Sequence, residues 1–192
     1  DEIHHDLIIG DKKFTSMLSI KDGFYRDNLV MVDAPSKTFN MASLLNSHVV
    51  IPNPQIRDLY DEVVGRLSAP QGSLLGRVAA EAAYREGEEW LDNMIEVIRD
   101  NFVYVRDELI KAFPEIKVSD LEGTYLMWID LSALVPADKV EKLVKKQAKL
   151  AVDFGDWFGE SGKGHIRVNL ATTPENIKKA VSALVNALKS EN

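Results

Sequence analysis

NLVMVDAPSKTFNMASLL, residues 28–45, decides how the rest of the chain is read. Leu29, Val30, Met31 and Val32 form a short apolar run of β-formers, which predicts a buried strand, and Asp33-Ala34-Pro35-Ser36 breaks it. Lys37 therefore falls just past a strand end. A lysine held on a rigid, partly desolvated strand end differs from one on a solvated surface, because burial lowers its pKa and frees the amine to attack a carbonyl. On spacing alone the ordinary reading is a solvated loop lysine.

Upstream of this stretch, residues 1–9 alternate loosely, with Ile3, Leu7, Ile8 and Ile9 apolar, and predict a strand that Gly10-Asp11 turns. His4 and His5 on such a strand point to opposite faces and cannot comfortably share a metal, so no metal site is expected. Residues 14–28 read as an irregular or short helical connector. Downstream, residues 48–51 predict a second strand closed by Pro52-Asn53-Pro54. Asn53 as N-cap and Pro54 at the first position open a helix to about residue 67, with Ile56, Leu59, Tyr60, Val63 and Val64 as a core stripe. Residues 68–72 read as a turn and 73–85 as an alanine-rich helix.

The longest periodic signal is residues 87–113, where Trp90, Met94, Val97, Ile98, Phe102, Val105, Leu109 and Phe113 mostly step by three or four. Such a helix is about 40 Å long at about 1.5 Å per residue, enough to link two domains, and its aromatic stripe reads as core. Beyond it, residues 116–119 and 125–130 predict strands, 140–150 a helix and 166–170 another strand. Thr173 and Pro174 open a final helix to about residue 188. His165, Arg167 and Asn169 share one face of the last strand while Ile166 and Val168 take the other. Tyr125 and Trp128 suit either a pocket lining or a core strand. The glycines at 155, 159, 162 and 164 are in neither Walker nor dinucleotide order and run into a strand, so they do not make a phosphate loop.

Composition narrows the classes. The 192 residues suffice for one large or two small cores, and 45% hydrophobic content is ordinary for a globular protein. With no cysteine, neither a disulfide framework nor a thiolate metal site is available. A formal net charge of -7 without a basic run disfavours nucleic acid as a partner. No apolar run reaches the length of a membrane span, no membrane association is expected, and a cytoplasmic location is the default.

APSKTFN at residues 34–40, DEIHHDL at 1–7, EGTYLMW at 122–128, FGESGKGHIR at 158–167 and GHIRVNLAT at 164–172 stand in one order. Together they resemble the pyridoxal-phosphate enzymes of aminotransferase class I/II, and most closely the branch of cystathionine β-lyase (C-S lyase) type, also called MalY/PatB-like. The resemblance runs over the whole chain but starts well inside a complete enzyme, so it implies the C-terminal half only. The fold it implies is α/β, the C-terminal part of a fold-type I pyridoxal-phosphate enzyme. Residues 1–88 then end the large cofactor domain, 89–113 form the interdomain helix and 114–192 make the small α+β domain.

By the same resemblance, Lys37 is the Schiff-base lysine and moves the Cα proton, Asp1 faces the pyridine nitrogen, His4 lies near the cofactor's 3′-oxygen, and Ser36 reaches the phosphate of pyridoxal 5′-phosphate. Arg167, in the RxNxA word, binds the α-carboxylate of an amino-acid substrate; a surface ion pair is its ordinary alternative. Three positions depart from the pattern: Ala34 replaces a phosphate-binding serine, Ser43 a glycine, and Leu45 a phosphate-binding arginine. The implied activity is β-elimination from sulfur amino acids to pyruvate, ammonia and a thiol. A class I/II aminotransferase is the second reading, and a non-catalytic fragment serving as a binding or assembly module is the third. The missing N-terminal half is an expected partner, as is a second copy in a homodimer, and the fragment alone is expected to be inactive.

Overall fold

The computed structural model describes residues 1–67 and 72–191, so the turn predicted at 68–72 lies, except for Gly72, outside the described residues. The chain divides into two compact units, Asp1–Asn93 and Met94–Asn192. In the first, the apolar run around residue 30 forms strand β1, Met31–Asp33, which pairs antiparallel with β2, His48–Val50. The register sets Met31 opposite Val50, Val32 opposite Val49 and Asp33 opposite His48. Between them stands a single helical turn, α1 (Pro35–Thr38). Pro35 at its first position costs no hydrogen bond there, and extended Ala34 directs the chain from strand to turn.

Helix α2 (Pro54–Arg66) starts as the sequence predicts, with the Asn53 side-chain oxygen accepting from the amides of Gln55 and Ile56. Its stripe is not core, however. Among its residues none is buried, and Leu59 and Val63 are 63% and 54% exposed, because no element of the described chain covers that side. Periodicity reveals an apolar face but not what lies against it. Helix α3 (Leu74–Glu86) is capped by the Ser73 hydroxyl, which accepts from the Gly76 amide.

Residues 1–9 correct the sequence reading. They form successive turns in which His5 N–H donates to the Glu2 carbonyl and Leu7 N–H to the His4 carbonyl. The Asp1 carboxylate takes the Ile3 amide, so local bonds replace most of a strand ladder. The Glu2 amide still reaches the Val32 carbonyl at 2.9 Å, which ties this segment to β1.

Helix α4 (Glu88–Ala112) spans the boundary between the units. Its stripe is only partly core: Ile98, Phe102, Val105 and Leu109 are buried, whereas Trp90 is 48% exposed. The second unit is built on an antiparallel sheet in the order β3 (Lys117–Val118), β4 (Leu126–Asp130), β6 (His165–Asn169), β5 (Asp153–Phe154). Met127 and Ile129 of β4 and Ile166 of β6 are fully buried, and the intervening residues take the opposite face. The helix predicted at 140–150 begins earlier, as α5 (Ala137–Lys142), and continues as a wider turn over Leu143–Gln147. Strand β5, too short to leave a periodic signal, has no counterpart in the sequence reading. Helix α6 (Pro174–Glu191) buries Ile177, Val181, Leu184 and Leu188 at helical spacing.

The close approach of residues 155 and 162 explains two of the glycines. A Cβ at Gly155 would sit 1.9 Å from the Gly162 carbonyl oxygen, so the backbones touch only because both side chains are absent.

One buried polar side chain fastens the end of β6. The Asn101 amide, 3% exposed, donates to the carbonyls of Leu170 and Thr172, each at 2.9 Å. Asn101→Leu strips both acceptors of their donor in a site poorly reached by water. It is expected to lower unfolding free energy by about 2–3 kcal/mol, read as a lower urea midpoint at unchanged slope. Asn176→Ala, which removes an exposed bond to Thr172, is the control and should stay within about 0.5 kcal/mol.

Candidate functional site

The turn carrying Lys37 is held from both sides by carboxylates. Asp33, at the end of β1, accepts the Ala34 amide at 2.6 Å, and the same oxygen lies 3.4 Å from His5 Nδ1. Its other oxygen is 3.6 Å from Nδ1 of His48, brought opposite by the β1–β2 register. Asp6 faces His5 Nε2 at 3.0 Å with one oxygen and accepts from the hydroxyl of fully buried Thr38 at 3.0 Å with the other. Glu2 accepts from the Ser16 hydroxyl and the Met17 amide.

Lys37 itself is half-buried, and among the described residues it has no hydrogen bond or ion pair. Its neighbour Thr38 donates to Asp6, and Asp33 accepts the Ala34 amide while its two oxygens face His5 and His48. The aromatic side of the turn is Phe39, whose ring meets Tyr84 edge-on at 5.3 Å and Trp90 at 6.2 Å. Burial, then the charges of Asp33 and Asp6, push the Tyr84 hydroxyl up to about 12, so it remains a neutral phenol.

Asp1, His4 and Ser36 lie in the same unit as Lys37. Asp1 is exposed and caps the Ile3 amide, while His4 and Ser36 are half-buried. Leu45, in the position where the resemblance expects an arginine, is 72% exposed and left-handed at φ 51°. Arg167 belongs to the second unit. Its Nε and Nη2 donate to one oxygen of Asp153 at 3.0 and 2.7 Å, and its guanidinium carbon lies 4.4 Å from the centroid of the Phe158 ring. On the same face Trp128 stacks on His165 at 5.3 Å and meets Phe158 edge-on at 5.6 Å.

The donor set of the first unit fits pyridoxal phosphate: a half-buried amine without an anionic partner, a hydroxyl next to it at Ser36 and a carboxylate at Asp1. Positions 34, 43 and 45 supply no cation for the phosphate. The Asp6–His5–Asp33–His48 chain and the Asp153–Phe158 support of Arg167 are absent from the sequence reading. No signal in the sequence announced the first, since the register that sets Asp33 opposite His48 belongs to the folded hairpin.

Residues 1–184 match the family model for aminotransferase class I and II. Among curated proteins, the chain is 31% identical to protein MalY of Escherichia coli over 192 residues, covering 99% of this chain and 48% of that protein. It is 33% identical to cystathionine beta-lyase PatB of Bacillus subtilis over 189 residues, covering 96% and 49% respectively. The chain thus spans about half the length of the curated relatives it matches. Among solved structures it is similar to cystalysin from Treponema denticola, which contains a pyridoxal 5′-phosphate cofactor. That similarity has a TM-score of 0.94 at 37% identity and covers 100% of this chain and 49% of that one.

In the second unit, Asp130 provides a pH test of the sheet face. Burial raises its pKa, but hydrogen bonds from Ser132 and the charges of His165 and Lys117 outweigh this and hold it below 3.8. A depressed folded-state value stabilises the fold above the unfolded value and loses that contribution as pH falls through the folded one. Melting temperatures of wild type and Asp130→Asn should therefore differ at neutral pH, begin to draw together as pH falls below about 4, and meet only below the folded-state value. A constant gap across that range contradicts the assignment.

Proposed function

The chain belongs to the aminotransferase class I and II family, and from that premise we propose that it forms the C-terminal half of a pyridoxal-phosphate-dependent C-S β-lyase of cystathionine β-lyase type. The observation that carries the proposal is the half-buried Lys37 amine left without an acidic partner while the carboxylates around its turn are engaged. The cystathionine β-lyase name of the Bacillus relative supports the lyase over the transaminase. When bound, pyridoxal phosphate supplies an electron sink for the bonding pair left at the substrate's Cα.

The protein's own groups divide the remaining work. Lys37 moves the proton at Cα, Asp1 holds a proton at the cofactor's ring nitrogen, and Ser36 and His4 contact its periphery at the phosphate and the 3′-oxygen. Arg167 pairs with the α-carboxylate of the amino-acid substrate. The overall reaction converts cystathionine and water to homocysteine, pyruvate and ammonia. Residues 1–88 form the end of the large cofactor domain, 89–113 the linking helix and 114–192 the small domain. A cytoplasmic homodimer completed by the N-terminal half is the working assembly. The uncovered apolar side of α2 supports a need for further polypeptide.

The aminotransferase reading has the family model in its favour, and one assay separates the two. Cystathionine given to the assembled enzyme without any keto acid is expected to release pyruvate and thiol over many turnovers. Conversion that stops at one equivalent until a keto acid is added identifies a transaminase instead. Lys37→Ala is expected to cut turnover by about 10²–10⁴-fold, the usual range for loss of an acid–base group. The purified 192-residue chain with added cofactor is expected to turn over nothing; robust activity from it alone contradicts the half-enzyme reading.

A further inference from the structure

Arg167 is held by a residue outside the motif that contains it. Strand β5 places Asp153 opposite Arg167 on one side, and β4 places Trp128 opposite it on the other. Both contacts to Asp153 run to a single oxygen, Oδ2, from Nε and Nη2. A guanidinium has five N–H donors, so two are committed and three remain: both on Nη1 and the second on Nη2. Two of these, one on Nη1 and one on Nη2, point away from Nε in parallel and form a pair suited to a carboxylate, while the third, on Nη1, points to the Cδ side. The guanidinium carbon also lies over the Phe158 ring, 4.4 Å from its centroid, which further restricts the fork. The pair is not sealed from solvent: the side chains of Arg167 and Asp153 are 31% and 39% exposed, leaving room for an anion to approach the free end.

We propose that Asp153 is a positioning residue that fixes the Nε edge of Arg167 and thereby presents its Nη1–Nη2 end to the substrate's α-carboxylate. The inference rests on the reading of Arg167 as the carboxylate anchor. It opposes a rival role for the same contact, in which Asp153 is an internal anion that the substrate must displace. The two roles carry opposite signs. A support that is removed lets the guanidinium swing and weakens carboxylate binding, whereas a rival that is removed strengthens it.

The test uses the full-length enzyme loaded with its cofactor. Cystathionine turnover gives KM and kcat, and calorimetry with glycine, which has no leaving group, gives a dissociation constant independent of turnover. Glycinamide, which lacks the carboxylate, is the reference ligand. Asp153→Ala is expected to raise KM and the glycine dissociation constant about tenfold, with kcat and glycinamide binding little changed. Asp153→Asn keeps an acceptor oxygen for Nε and Nη2 and is expected to stay within about threefold of wild type. If the alanine variant does not fold, Asp153→Ser, too short to reach the fork, is read in its place. Tighter glycine binding in these variants overturns the inference in favour of the rival anion. Unchanged glycine binding in the alanine or serine variant, with Arg167→Ala weakening it, overturns the inference alone. If Arg167→Ala leaves the glycine-to-glycinamide preference intact, the anchor reading falls and the inference falls with it.

Discussion

A half-buried lysine side chain with no ion-pair partner among the described residues, Lys37, is the distinguishing feature of the first unit. Lys37 sits on a one-turn helix whose ends are fastened by carboxylates: Asp33 accepts the Ala34 amide and faces two imidazoles, and Asp6 accepts from Thr38 and faces His5. His5, Asp33 and His48 bring residues 1–9, β1 and β2 together, with the Asp33 oxygens 3.4 and 3.6 Å from the two imidazoles.

The second unit solves the opposite problem. Arg167 lies partly exposed on a sheet face, where a long side chain would otherwise sample many rotamers. Asp153 and Phe158 restrict it beforehand, one through two hydrogen bonds and the other through its ring face. Trp128, His165 and Phe158 form a connected aromatic surface beside it. The sheet makes this possible because alternate residues of β4 and β6 put Met127, Ile129 and Ile166 into the core and leave Trp128, Asp130, His165 and Arg167 on one side.

What could be read from the sequence depended on whether the signal was local. Asn53-Pro54 marks the start of α2 because capping and proline preferences act within one turn, and α6 follows Thr173-Pro174 for the same reason. The alternation of Ile166 and Val168 against His165, Arg167 and Asn169 likewise states the two faces of β6 directly. Residues 1–9 failed because scattered apolar residues imitate a strand, whereas Asp1 and the backbone carbonyls of Glu2 and His4 satisfy the amides locally. The stripe of α2 was legible as apolar but not as uncovered, since that depends on what packs against it. The contacts of Asp33 with His5 and His48 join residues 28 and 15 positions apart through tertiary register, and no spacing rule records them. The motif words supplied Lys37 and Arg167 as candidates, but not the groups that hold each of them.

The central claim is that the uncompensated amine of Lys37 is where pyridoxal phosphate is attached. The most direct measurement is borohydride reduction of the assembled, cofactor-loaded enzyme, followed by proteolysis and peptide mass mapping. The account predicts a single pyridoxyl-phosphate adduct on the peptide containing APSKTFN, located on Lys37. An adduct on a different lysine, or none in an enzyme that holds its cofactor, would contradict it.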